Sequence, residues 1–187
     1  MALIYTYTAP RAQPQNAWWI RRAVYDVCPA GPYYSASAAN DSSVGDVAWS
    51  NPDNARLSED VYATATPVAQ TTNRLNLTGF KFNIHPSKQI DGILVEVECK
   101  TLVGTATVKC RIIKGGAVSA TLKSGSWSST EQCVSYGASN DPWGETWTPA
   151  DINADNFGVT NAAHDLVVAL DGEPVTGSVG AHMLTSN

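Results

Sequence analysis

The side chains that most often hold metals or transfer protons are scattered along this sequence. Its three histidines, His85, His164 and His182, lack partners at the short spacings of a metal triad or a metalloprotease helix. The sequence also shows no Gly-x-Ser-x-Gly elbow, no phosphate-binding glycine loop and no recognisable pair of catalytic carboxylates. We therefore expect neither an enzyme nor a bound cofactor.

Two of the four cysteines are candidates for a disulfide. Residues 90–113 are predicted to form a β-hairpin in which Gly104 and Thr105 make a type II′ turn. This register places Cys99 directly opposite Cys110, with Cα atoms about 5.5 Å apart, which suits a disulfide. The alternative is that both are reduced thiols that pack in the core as small hydrophobic side chains.

The same hairpin predicts which side chains face the core. Its two faces differ, because apolar residues alternate with charged ones along both strands. On the charged face Glu98 lies opposite Arg111, so we expect an ion pair there. The apolar face, which we expect to be buried, consists of Ile93, Val95, Val97, Cys99, Val103, Ala106, Val108, Cys110 and Ile112.

The tryptophans are candidates for a binding surface. Trp127, Trp143 and Trp147 lie in residues 127–147, which we expect to be mostly connection. Aromatic rings with polar neighbours suit stacking against sugars, so a carbohydrate-binding module is an alternative function. The competing interpretation is that these rings plug the ends of a sandwich.

The composition favours short strands joined by many turns. Of the 187 residues, 43% are hydrophobic and only 16% are charged. We expect an all-β fold, an antiparallel β-sandwich that is jelly-roll-like, with one short helical turn. Thr148 and Pro149 are suited to cap and begin that turn. Burial of apolar residues on both sides of Gly79 predicts a bulge or twist in a strand over 75–84.

Charge and hydropathy disfavour two kinds of partner. A net charge of -5, with no basic cluster beyond Arg21 and Arg22, disfavours nucleic acid. No run approaches the roughly 20 apolar residues of a membrane span, and the N-terminus does not resemble a signal peptide. We expect synthesis in a cytoplasm and no membrane partner.

Residues 1–47 are predicted to form an extended N-terminal arm, and 48–187 the β-sandwich domain. The arm combines a short strand pattern with proline-rich sequence and isolated apolar clusters. Aromatic side chains in such an arm need cover, either from their own domain or from a neighbouring subunit. The candidate interface residues are Tyr5, Tyr7, Trp18 and Trp19.

A series of short sequence segments, here called phrases and taken in order, resembles those of a known protein family. Trp143 and Gly144 lie in a loop that precedes a short helical turn and a Phe-Gly-Val strand beginning at Phe157. In this respect the chain is similar to small β-sandwich proteins encoded among the virion structural genes of tailed bacteriophages. The resemblance runs through 49–55, 75–84, 90–97, 112–116 and 143–159.

The resemblance implies a scaffold rather than a chemistry. It implies a virion structural protein, made in the host cytoplasm, and most of all a capsid decoration or cement protein on the head. The expected partners are other virion proteins, above all the major capsid protein, and the expected state is a homo-oligomer with a trimer favoured. The alternative within this class is a tail tube, fibre or baseplate accessory protein.

Overall fold

Two antiparallel β-sheets form the body of the protein. The computed structural model describes residues 2–7, 35–56, 61–67, 70–101, 104–165 and 177–179, with backbone alone for 2–7, 164–165 and 177–179. Apolar side chains from both sheets meet in one buried core between them. The predicted all-β fold and the β-sandwich are confirmed, whereas the jelly-roll likeness stays a prediction.

The strands are mostly short, as the turn-rich composition predicts. They are β1 Ala2–Tyr7, β2 Ser37–Asp41, β3 Ala63–Ala65, β4 Arg74–Thr78, β5 Gly92–Thr101, β6 Thr105–Lys114, β7 Ala117–Val118, β8 Lys123–Ser128, β9 Gln132–Gly137, β10 Gly158–Asp165 and β11 Gly177–Val179. A 3₁₀ helix spans Pro52–Arg56, and helix α1 spans Pro149–Asn153.

The long strands β5 and β6 are the centres of the two sheets. In the first, which we call sheet A, β9 pairs with one edge of β5, while β1 and β11 share the other edge and β3 lies beyond β11. In the second, sheet B, the order is β2, β4, β10, β6, and β7 and β8 share the far edge of β6. Each sheet is therefore organised around one long strand.

The predicted hairpin at residues 90–113 is wrong in its pairing. Because β5 and β6 belong to different sheets, Glu98 lies opposite Cys133 and Arg111 lies opposite Thr160. The expected pair between Glu98 and Arg111 is therefore not formed. The apolar residues of both strands that the structure describes are buried as predicted, because two strands that face each other across a sandwich bury the same alternate residues as a hairpin.

Gly79 explains the change of parity in the segment that follows β4. Leu75 and Leu77 on one side of it and Phe80 and Phe82 on the other are all buried. Gly79 has a φ of 73°, in the left-handed region that glycine adopts readily. The strand ends at Thr78, so this is a turn out of the sheet and not a bulge inside a longer strand.

Two strands occupy part of the segment that was expected to be mostly connection. β8 and β9 are consecutive, yet they lie in different sheets, each paired with the central strand of its sheet. β8 buries Trp127 but otherwise carries polar and small residues that are half-buried or exposed. The apolar alternation that reveals a strand is therefore weak here.

The predicted N-terminal arm contributes strands to both sheets. β1 pairs with β5 in sheet A, and β2 pairs with β4 in sheet B. Residues 8–34 lie outside the described residues. In the part of the chain that the structure describes, no helix has the length and hydropathy to cross a membrane.

Candidate functional site

The three candidate tryptophans for sugar stacking are core residues. Trp127, Trp143 and Trp147 are only 1%, 0% and 9% exposed. Each indole N–H donates inside the protein: Trp127 to the Tyr136 hydroxyl at 3.1 Å, Trp143 to the Ile93 carbonyl at 2.7 Å and Trp147 to the Pro142 carbonyl at 2.8 Å. A sugar has no ring face to stack on, so the predicted glycan platform is wrong. The prediction assumed that the tryptophan rings are exposed, but exposure depends on tertiary packing.

Two of these tryptophans and three phenylalanines lie in the core near the start of β5 and the end of β6. We call this cluster the aromatic end. Ring centroids are 6.1 Å apart between Phe80 and Phe82, 5.9 Å between Phe82 and Phe157, and 5.6 Å between Phe157 and Trp147. The last two contacts are edge to face, the geometry that aromatic quadrupoles favour. The aromatic end consists of Phe80, Phe82, Trp143, Trp147 and Phe157.

The loop that carries Trp143 is held by Asp141. The Asp141 carboxylate accepts the Trp143 backbone N–H at 2.8 Å and forms an ion pair with Lys123. Burial alone would raise the pKa of Asp141, but the bonds from Lys123 and Trp143 outweigh it and lower that pKa. Lys123 also lies 4.8 Å from the centre of the Trp143 ring, in cation–π geometry. These contacts therefore fix the position of Trp143.

Helix α1 begins with the predicted cap. The Thr148 hydroxyl accepts the Asp151 backbone N–H at 3.2 Å, and the Asp151 carboxylate accepts the Thr148 backbone N–H at 2.8 Å. Pro149 occupies the first turn, where no backbone donor is needed. This capping box fixes the helix that places Ile152 in the core and follows directly on Trp147.

Cys99 and Cys110 are both free and buried. They lie in β5 and β6, in different sheets, so the cross-strand pair on which the disulfide was predicted does not exist, and that prediction is wrong. Burial raises the pKa of both thiols far above the ordinary value, so little reactive thiolate forms. The alternative, two reduced thiols in the core, describes them. Cys133, by contrast, is disulfide-bonded.

The candidate interface residues of the N-terminal segment are placed only in part. The backbone of Tyr5 pairs with Leu94 and that of Tyr7 with Gly92, at the edge of β5. Trp18 and Trp19 lie outside the described residues. The proposed interface therefore stays a prediction.

The described side chains on the outer surfaces of the two sheets differ in the sign of their charge. On sheet A, Glu96 and Glu98 point away from the core, and Lys100 forms an ion pair with Glu131 at 3.5 Å. Tyr62 donates to Glu131 at 2.5 Å, and this hydrogen bond is the main reason that the pKa of Glu131 is lowered. Among the described side chains, the outer surface of sheet A thus carries more carboxylates than cations.

The outer surface of sheet B is basic instead. Arg74 of β4 and Lys109 and Arg111 of β6 line one depression on it. Sequence reasoning missed this cluster. The alternation of Lys109 and Arg111 along one strand was a usable signal, but Arg74 joins them only through the order of strands in the sheet.

The part of the chain that the structure describes contains no candidate metal site. No group of three or more His, Cys, Asp and Glu side chains there is placed to hold a metal ion.

The geometry defines a class of protein, a two-sheet antiparallel β-sandwich with an aromatic end and with outer surfaces whose described side chains differ in the sign of their charge. No protein-family model, curated protein or solved structure matches the chain. The fold, the side-chain contacts and the order of the sequence phrases therefore carry the functional argument.

Proposed function

We propose that the chain is a virion structural protein of a tailed bacteriophage, and in particular a decoration or cement protein of the head. One observation supports this proposal above others: the phrases that resemble the phage family are used for packing. The Trp-Gly loop, the capped turn and the Phe-Gly-Val strand all meet at the aromatic end. A family that is a scaffold without catalytic residues is expected to use its recurrent phrases in this way.

The first phrase, residues 49–55, is also structural. Trp49 is buried and donates its indole N–H to the Asn73 carbonyl at 2.8 Å, and its backbone N–H goes to the Asn40 side chain at 2.8 Å. These bonds fasten the segment to the turn before β4 and to β2. The residues of the resemblance thus hold the sheets together.

The surfaces of the sandwich and the N-terminal segment would make the contacts with other virion proteins. The major capsid protein is the proposed main partner, and a homotrimer is the proposed assembly. Short edge strands suit such a role, because β2 and β3 span only five and three residues and leave little exposed edge for uncontrolled pairing.

Immunogold electron microscopy tests the location directly. Particles banded from a lysate that contains this protein are labelled with antibody raised against the full chain. Particles assembled without the protein provide the control for background label. We expect regular label over the heads.

The other outcomes are equally informative. Label confined to tails would replace the head assignment with a tail tube, fibre or baseplate accessory role. Absence of label from every particle, when the protein is present in the lysate, would overturn the virion proposal.

A further inference from the structure

A depression of about 170 Å³ lies on the outer surface of sheet B. Its floor is formed by Thr160 and Ala162 of β10, the strand between β4 and β6. Arg74 stands on the β4 side, and Lys109 and Arg111 stand on the β6 side. We call this feature the cationic depression.

The strand register explains why the depression exists. Lys109 is directly opposite Ala162, and Arg111 is directly opposite Thr160. β4 and β6 are two strand spacings apart, roughly 9.5 Å, so the long side chains of Arg74 and Lys109 can lean over β10. Because Ala162 is small, space remains between the cationic side chains.

The cations of the depression are not used in ion pairs. In the part of the chain that the structure describes, ion pairs engage Arg56, Lys81, Lys100, Lys114 and Lys123. The described cations outside those pairs are Arg74, Lys88, Lys109 and Arg111, and all but Lys88 line the depression. Such clustering of positive charge outside ion pairs, in a chain of net charge -5, calls for an anion.

The local charge balance indicates what kind of anion. Asp41 lies opposite Arg74 in the sheet, and its pKa is lowered by the Ser43 backbone N–H first and by Arg74 last among several causes. Three positive charges and one negative charge leave a surplus of two. A dianion would neutralise that surplus.

Thr160 adds a polar group at the floor. Its side chain is 2% exposed, and its hydroxyl oxygen has no hydrogen-bond partner in the structure. The Asn76 side-chain oxygen, on the residue opposite Thr160, is buried without a partner as well. Buried polar atoms without partners are uncommon in native proteins and call for an explanation.

The Arg111 guanidinium is fixed on the β7 side of β6, the side opposite β10. Its Nη1 donates to the backbone carbonyls of Ser119 and Ala120, at 3.1 Å for Ser119. Arg111 therefore contributes positive charge at the rim of the depression rather than a forked contact over β10.

We propose that the cationic depression binds a phosphate dianion, as inorganic phosphate or as the phosphate of a monoester. Arg74, Lys109 and Arg111 supply the charge, and the Thr160 hydroxyl supplies a hydrogen bond at the floor. The depression accommodates one such group and is not a groove for a polymer. This inference stands apart from the virion role, because it depends only on the chemistry of this surface.

A titration of the full-length protein with inorganic phosphate tests the proposal. At pH 7.5 phosphate is mostly dianionic. Sodium chloride keeps the ionic strength constant, and backbone amide chemical shifts in nuclear magnetic resonance spectra report the site. We expect saturable shifts centred on β10 and on the neighbouring residues of β4 and β6.

Two variants and one control locate the site. Thr160→Val keeps the shape of the side chain without the hydroxyl, and we expect it to raise the Kd about tenfold. Lys109→Gln changes an exposed side chain, and we expect about a fivefold rise. Lys88→Gln alters net charge equally, but Lys88 lies outside the depression, so the Kd should stay within about twofold.

Parallel titrations with glycerol phosphate and acetate identify the ligand chemistry. Tighter binding of glycerol phosphate would assign the site to a monoester, and tighter binding of inorganic phosphate would assign it to the free ion. Acetate, with one charge, should bind at least tenfold more weakly than either. Shifts that do not saturate, or an equal loss in Lys88→Gln and Lys109→Gln, would overturn the proposal.

Discussion

The aromatic end and the outer surface of sheet B differ in whether their buried polar atoms have hydrogen-bond partners. At the aromatic end, the indole N–H groups of Trp143 and Trp147 donate to backbone carbonyls at 2.7 and 2.8 Å. On the outer surface of sheet B, the side-chain oxygens of Asn76 and Thr160 lack partners. The same strand that supplies Thr160 also buries Asn161, whose two polar atoms have no partner either.

This contrast separates structural from functional demands on the sequence. Satisfied polar groups and close ring contacts increase stability, whereas unpartnered groups decrease it unless a ligand supplies the missing partner. We infer that the aromatic end holds the fold and that sheet B carries a binding surface. Substitutions in the two regions should then change different properties.

The largest loss of stability should come from Trp143→Ala. Removing this fully buried ring leaves a cavity and an unsatisfied Ile93 carbonyl, so the free energy of unfolding should fall by about 3–5 kcal/mol. Urea unfolding followed by circular dichroism measures the change. Trp143→Phe, which keeps a ring but loses the N–H, should cost less, about 1–3 kcal/mol. A loss below about 1 kcal/mol in the alanine variant would mean that the aromatic end does not hold the fold.

Gly137→Ala should be the next most damaging change. Gly137 has a φ of 81°, and a Cβ there would collide with the Ile93 carbonyl oxygen and the Trp143 indole nitrogen. We expect a loss of about 2–4 kcal/mol in the same unfolding experiment.

Gly104→Ala is the matched control for that prediction. Gly104 has a similar φ of 72°, but a Cβ there meets nothing within 4 Å. The free energy of unfolding of Gly104→Ala should fall by about 1 kcal/mol, the cost of a Cβ in the left-handed backbone conformation alone. Equal losses of stability in the two variants would show that steric crowding against Trp143 is not the cause.

On sheet B the expected effect has the opposite sign. Thr160→Val removes a buried hydroxyl that has no partner, so the free energy of unfolding without phosphate should rise by about 1 kcal/mol. Thermal unfolding in phosphate-free buffer measures it. A loss of stability above about 1 kcal/mol would show that the hydroxyl is already satisfied in the folded protein.

The smallest expected effect is the pH dependence of the cap of α1. Hydrogen bonds from Thr148 lower the pKa of Asp151 from its ordinary value of 3.8. Because the folded-state pKa is lowered, the stabilisation exists above the unfolded pKa and is lost as pH falls through the folded pKa. Asp151→Asn should therefore lose about 0.5–1 kcal/mol at pH 7 and almost nothing at pH 2. Urea unfolding at both pH values measures the difference, and a loss that is equal at both would exclude the charge of Asp151 as its cause.

The sequence predicted local structure and burial better than partners. The cap at Thr148 and Asp151 depends on neighbours three residues apart, so short-range chemistry determines it. Alternation along β5 and β6 correctly predicted that the described residues of the apolar face are buried, but Glu98 and Ile113, expected on the solvent face, are buried as well. It did not determine the pairing, since a hairpin and a crossing between facing sheets bury the same alternate residues.

The errors at the candidate sites have the same origin. The disulfide between Cys99 and Cys110 depended on the hairpin pairing, and the sugar platform depended on exposure of Trp127, Trp143 and Trp147. Both are properties of the tertiary structure. The cationic depression also depends on tertiary structure, because it needs β10 to lie between β4 and β6.

The division of roles between the two regions is tested most directly by measuring stability and phosphate affinity on the same samples. The wild type, Trp143→Phe and Thr160→Val are compared in one buffer by urea unfolding and by phosphate titration. We predict that Trp143→Phe loses stability with an unchanged phosphate Kd, while Thr160→Val loses phosphate affinity with stability equal to or above that of the wild type. Stability and affinity falling together in both variants would contradict the account.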